Sequence, residues 1–125
     1  MQVLGRHALL DLYDCDSALL DDLTFLREVF LETCRAMKCT LVKECFHRYA
    51  PQGVSGVLVI AESHLSIHTW PEHKYAAIDL FTCGDPSELA RMPGLLGAAL
   101  KSGRHEYRVV DRGLVPALAI PPVTA

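Results

Sequence analysis

Val57-Leu58-Val59-Ile60-Ala61-Glu62-Ser63-His64-Leu65-Ser66-Ile67-His68-Thr69-Trp70 reads as two strands and the turn between them. Val57 to Ala61 is an apolar run rich in β-branched residues, as a buried strand requires. Leu65, Ile67 and Thr69 then alternate with Ser66, His68 and Trp70, which gives the next strand one apolar and one mixed face. Only Glu62, Ser63 and His64 remain to connect the two, so the connection is a tight hairpin and the pair is antiparallel. A tight turn is also a place where a residue can be held in a sparsely populated backbone geometry. Ser63 sits there, its hydroxyl beside the carbonyl of Glu62.

Outward from the hairpin, the same two periodicities organise the chain. Leu4 to Tyr13 reads as a strand ended by Asp14 and Asp16. From Asp16 as N-cap, Leu19, Leu23, Leu26, Phe30, Cys34 and Met37 recur every three or four residues, which predicts one helix packed on a sheet. Thr40 to His47 resumes strand character, and Pro51-Gln52-Gly53 turns the chain. Beyond the turn Pro71-Glu72-His73-Lys74, Tyr75 to Cys83 is a further strand. Asp85-Pro86 joins an N-cap to a proline at the first helical position, and Pro93-Gly94 interrupts the pattern before a second helical piece ending near Lys101. A last strand is expected over Glu106 to Val110, and Pro116 to Ala125 reads as an irregular, mobile tail. The expected fold is α+β, a single domain over residues 1–125 of condensed order β-α-β-β-β-α-β. It is a sandwich with two helices on one face of a mainly antiparallel sheet. The other face needs cover, which two such sheets pairing in a symmetric dimer provide.

Composition narrows the classes. A chain of 125 residues holds one modest core, and its 50% hydrophobic content is high enough to point to an interface as well. A net charge of −3 without a basic cluster argues against nucleic acid as a partner. No apolar run approaches the ~20 residues of a membrane span, and Met1 to His7 lacks the layout of a secretory signal. Cys15, Cys34, Cys39, Cys45 and Cys83 are an odd set without CxxC spacing, which fits reduced thiols in a cytoplasmic protein.

Three chemistries compete for the hairpin. His64, His68, His73 and Cys83 are metal-ligating types, but four strand residues span about 13 Å, so His64 and His68 cannot share an ion and no metal is expected. Cys83 and His68 on neighbouring strands could form a nucleophilic pair, while a free cysteine is also commonly just a small buried side chain. In the third, the Ser63 hydroxyl attacks the carbonyl of Glu62 and turns the amide into an ester. Elimination then leaves dehydroalanine, which hydrolyses to a pyruvoyl group. That route needs a strained bond, a base and oxyanion donors, for which His68 and Ser55 are suitable.

Gly53-Val54-Ser55-Gly56, Glu62-Ser63-His64-Leu65-Ser66-Ile67-His68-Thr69-Trp70-Pro71-Glu72 and Ala77-Ile78-Asp79-Leu80-Phe81-Thr82-Cys83-Gly84 together resemble the bacterial and archaeal type of S-adenosylmethionine decarboxylase. Leu4-Gly5-Arg6-His7 and Phe46-His47-Arg48-Tyr49 match too, and the resemblance runs in order from Leu4 to Asp85, more loosely afterwards. It implies cleavage between Glu62 and Ser63 into a β chain of residues 1–62 and an α chain of residues 63–125. Ser63 becomes the pyruvoyl cofactor that forms a Schiff base with the substrate. His68 is the proton acceptor in processing, assisted by Ser55, and Cys83 is the proton donor in catalysis. Glu72 is placed near the ribose hydroxyls, with Tyr49 and Trp70 as aromatic contacts of adenine. Tyr49 stands where the resemblance leads one to expect phenylalanine, which adds a hydroxyl.

The resemblance further implies an (αβ)2 homodimer with active sites at its interface, higher association remaining open. The product, decarboxylated S-adenosylmethionine, feeds spermidine synthesis. Two rivals stand beside this reading. One is a homologous decarboxylase of a free amino acid, ornithine or arginine, against which Trp70 and Glu72 argue. The other is an unprocessed binding paralogue, which an intact mass would reveal.

Overall fold

In β1 (Gln2–Tyr13) Ala8, Leu10 and Leu12 are buried, and His7, Leu9 and Asp11 alternate with them on the other side. This strand lies inside one six-stranded sheet with β2 (Leu41–Arg48), β3 (Val54–Ile60), β4 (Ser63–Trp70), β5 (Tyr75–Thr82) and β6 (Arg104–Val115), in the order β2-β3-β4-β5-β1-β6. Every neighbouring pair is antiparallel. The computed structural model describes residues 1–117. Four strands stand between the helical segments, one more than the condensed order allows. Thr40–His47, each arm of the hairpin and Tyr75–Cys83 all pair as separate strands.

Helices α1 (Ser17–Leu20), α2 (Leu23–Ala36) and α3 (Met92–Ala99) cover one face of the sheet. Leu26 and Phe30 of α2 and Met92 and Leu96 of α3 share a core with Leu58, Leu65, Ile67 and Ile78. Burying each such side chain stabilises the fold by about 1.5–3 kcal/mol. A one-residue slip of β4 would turn Leu65 and Ile67 away from the helices, so this core also sets the strand register.

The single helix expected from Asp16 to Met37 is two. Asp22 is extended (φ −103°, ψ 95°) and its carboxylate accepts from the Phe25 N–H, which starts a new helix behind the first. The break is tied to the sheet, because the Thr69 hydroxyl donates to the Leu20 carbonyl at 2.7 Å. The short first turn expected at Asp85-Pro86 is the 3₁₀ helix Pro86–Arg91, and Pro93 stands in the first turn of α3 that follows, where its missing N–H leaves no bond unmade. β6 is longer at both ends than Glu106–Val110, since it pairs along β1 from Tyr13↔Arg104 to Gln2↔Val115. Its charged residues suit an edge strand. Pro116 and Ala117 follow in no regular element, and the rest of the expected tail lies outside the described residues.

Among the described residues no helix covers the second face of the sheet. Across it, His64, Phe81 and His7 form one row, Ser66, Asp79 and Leu9 the next, and Ser55, His68, Ala77 and Asp11 a third. Val59, Trp70 and Val110 are more than a third exposed here.

Candidate active site

The pairing Ile60↔Ser63 leaves only Ala61 and Glu62 in the turn, so Ser63 opens β4. It does so at φ +142°, a region that L residues with a side chain seldom adopt. Glu62, just before it, is held at both ends. Its carbonyl oxygen accepts from the Cys83 N–H at 2.9 Å and from the Cys83 thiol at 3.4 Å. Its carboxylate accepts from the Thr40 N–H at 3.0 Å. Gly84 leaves room for this, because a Cβ there would lie 3.0 Å from Glu62 Cγ. The amide ahead of Ser63 is thus strained on one side and polarised by two donors on the other.

Cys83 differs from the other thiols in this contact. Cys15 and Cys34 are buried core residues whose pKa values burial pushes up, and burial takes Cys39 up to about 12. Cys45 is exposed on β2.

A second group lies further along the same strands. Ser55 and His68 pair across β3 and β4, with Ser55 Oγ 2.7 Å from His68 Nδ1. The Tyr49 hydroxyl donates to Ser55 Oγ at 3.1 Å. Tyr49, Gln52, Ser55, His68, Trp70 and Glu72 line a cavity of about 350 Å³. The 3₁₀ turn Pro71–His73 carries Glu72 to its rim, and the Trp70 ring packs against Tyr75, centroids 5.4 Å apart. Gln52 was not singled out from the sequence, where it looks like any turn residue.

The two groups are not together in one chain. Ser63 and His68 are five residues apart on β4, about 16 Å at the rise of a strand. The fold joins Ser63, Glu62 and Cys83 at one end, and Ser55, His68, Tyr49, Trp70 and Glu72 at the other. His68 does not meet Cys83.

Between them lies a cluster that sequence reasoning missed. The Asp79 carboxylate accepts from Ser66, from His7 Nε2 at 2.5 Å and from His64 Nε2 at 3.1 Å. Arg112 Nη1 sits 3.0 Å from His7 Nδ1. The His7, His64 and Asp79 ligand atoms all lie within 4.8 Å of one another, a spacing that metal sites share. Arg112 can only donate, so His7 Nδ1 is an acceptor and the ring proton is on Nε2, facing Asp79. The three groups thus form a hydrogen-bond network around the Asp79 carboxylate. Burial alone would raise the pKa of Asp79, but the bonds from Ser66, His7 and His64 outweigh it and hold the carboxyl below its usual range. The signal available was a single acid inside the apolar run Ala76 to Phe81.

Known proteins resemble this chain along most of its length. A family model described as S-adenosylmethionine decarboxylase matches residues 6–113. An S-adenosylmethionine decarboxylase proenzyme of Pseudomonas paraeruginosa is 46% identical over 112 residues, covering 90% of this chain and 70% of that protein. One from Acidithiobacillus ferrooxidans is 41% identical over 121 residues, covering 97% and 91%. The crystal structure of the adenosylmethionine decarboxylase from Aquifex aeolicus superposes with a TM-score of 0.87 at 35% identity, covering 97% of this chain and 100% of that one. With the hairpin serine Ser63 and the half-buried Cys83 both inside the matched span, the chain belongs to the S-adenosylmethionine decarboxylase family.

Proposed function

We propose that the chain cuts itself between Glu62 and Ser63 and then decarboxylates S-adenosylmethionine. The observation that carries the reading is the scissile turn: Ser63 at φ +142°, with the Glu62 carbonyl capped by both donors of Cys83. When the Ser63 hydroxyl adds to that carbonyl, the charge gathers on the Glu62 oxygen, where the Cys83 N–H already points. Relief of the backbone strain favours the same step. His68 then accepts the α-proton of Ser63, with Ser55 donating to the oxygen that leaves.

Ser63 and Cys83 suit the cofactor's position, because the cut frees Ser63 as a new N-terminus beside the thiol. A pyruvoyl group there supplies a carbonyl that bonds the substrate amine and takes up the electron pair left by carbon dioxide. Cys83 gives the proton that the α-carbon then needs. Glu72 accepts hydrogen bonds from the ribose hydroxyls. Tyr49 and Trp70 offer faces to adenine and to the sulfonium, a cation–π attraction of about 1 kcal/mol.

The ~16 Å between Ser63 and His68 makes a second copy part of this reading. Two sheets paired through their open faces by a two-fold axis set the Ser63 end of one opposite the His68 end of the other. Each active site of the (αβ)2 dimer then takes Ser63 and Cys83 from one protomer, and Ser55, His68 and the adenosine cavity from its partner. Decarboxylation by such a dimer supplies aminopropyl groups for spermidine synthesis.

Intact mass together with carbon dioxide release tests the whole proposal. Two fragments, residues 1–62 and 63–125, and release from S-adenosylmethionine are expected. A single uncut chain of 13.8 kDa, or release from ornithine or arginine alone, overturns it.

A further inference from the structure

Tyr49 has two ends, and recognition of adenosine uses only the ring. The hydroxyl points elsewhere, donating to Ser55 Oγ at 3.1 Å, and Ser55 in turn lies 2.7 Å from His68 Nδ1. The geometry is anchored on both sides. The Tyr49 N–H donates to the Gly53 carbonyl at 2.8 Å, and Ser55 and His68 are register partners in the sheet.

A serine hydroxyl has one proton to give and two lone pairs to receive with. Tyr49 fills the first lone pair. Once His68 has taken a proton, both of its ring nitrogens are donors, and Nδ1–H fills the second. The Ser55 proton then has one direction left, outward to a third partner, and a donor into Oγ makes it a stronger donor in that direction. Phenylalanine at position 49 would leave the Ser55 hydroxyl free to rotate.

We infer that Tyr49 is a positioning residue for self-processing, acting through Ser55 on the elimination step. This rests on the self-cleaving reading above. In that step His68 Nε2 takes the α-proton of Ser63, and the C–H pair becomes the Cα=Cβ double bond. The Cβ–O bond breaks with its electron pair on the Glu62 carboxylate oxygen, and Ser55 donates to that oxygen as its charge grows. One proton moves to His68, and no oxidant or reductant is involved. The hydroxyl of Tyr49 keeps Ser55 aimed for that moment.

The test is Tyr49→Phe, which removes the hydroxyl and keeps the ring. Freshly made precursor is followed on denaturing gels with and without hydroxylamine, which cleaves esters and spares amides. Tyr49→Phe is expected to mature about tenfold more slowly than the parent chain, the loss of one charge-directed hydrogen bond. Hydroxylamine should restore its cutting at Glu62–Ser63, because the ester still forms and only the elimination stalls. In a Ser55→Ala background, adding Tyr49→Phe should slow maturation no further, since Tyr49 acts through Ser55.

Maturation of Tyr49→Phe at the parent rate overturns the inference. So does slow maturation that hydroxylamine leaves unchanged, or a full further loss in the double variant. If the parent chain itself stays uncut, the self-cleaving reading fails. If the parent is cut and Tyr49→Phe keeps pace with it, only the role of Tyr49 fails.

Discussion

Ser63 and Cys83 face one peptide bond from two sides. Ser63 at φ +142° stays in its strained geometry because Glu62 is pinned by Thr40 through its side chain and by Cys83 through its carbonyl. The two Cys83 donors have separable uses. On the proposed chemistry, the backbone N–H at 2.9 Å serves the oxyanion of self-cleavage, while the thiol, in a weaker bond at 3.4 Å, supplies the proton for turnover. Cys83→Ala keeps the first and deletes the second. Its chain should still be cut, a few-fold more slowly at most, whereas decarboxylation falls by about 10²–10⁴, the range of a lost general acid. Gel and carbon dioxide release measured on the same sample check this. Equal losses in both would show that the thiol serves the two reactions alike.

Strand by strand, Asp79 of β5 is the tie that holds the open face near this bond, reaching His7 on β1 and both Ser66 and His64 on β4. Its pKa is depressed in the folded state, so its contribution is present above the unfolded value of about 3.9 and disappears as pH falls through the lower, folded value. Asp79→Asn should lose about 1–3 kcal/mol of stability at neutral pH, for leaving donors without their charged acceptor. Urea midpoints below pH 4 should also fall less steeply than in the parent chain. An acid limb of unchanged slope would exclude Asp79 as its source.

Much of this level was legible in the chain. Alternation from Leu65 to Trp70 and the short gap after Ala61 put Ser63 at a tight turn, but Ser55 falls outside the strand read from Val57 to Ala61, and only the start of β3 at Val54 sets it beside His68. The break at Asp22 was not legible, since Leu23 and Leu26 continue the helical period across it. Capping of Phe25 and the Thr69 bond to Leu20 decide it, and the second of these is tertiary. The partnership of Asp79 with His7 depends on β1 lying beside β5, which no local pattern encodes. The separation of Ser63 from His68 is a matter of register, and appears only when strand rise is counted along β4.

In the molecule as a whole, one face is covered by helices, and the other leaves Val59, Trp70 and Val110 exposed around half-buried polar groups. In the proposed dimer these side chains are covered, and their burial would give the association a driving force. Because the two groups of residues lie at opposite ends of β4, the proposed two-fold association would also complete the chemistry. The consequence can be read in mixed dimers. A Ser63→Ala chain lacks the attacking hydroxyl and a His68→Ala chain lacks the base, so each alone should remain uncut. When the two are unfolded together and refolded at equal amounts, about half of the His68→Ala chains should pair with Ser63→Ala partners, by random two-fold assembly. Those chains keep Ser63 and receive His68 from across the interface, so about half of the His68→Ala population should be cleaved while the Ser63→Ala population stays whole. Mass spectrometry distinguishes the two chains directly. No cleavage in the mixture, under conditions where the refolded parent chain cuts itself, would mean that His68 does not act across the interface.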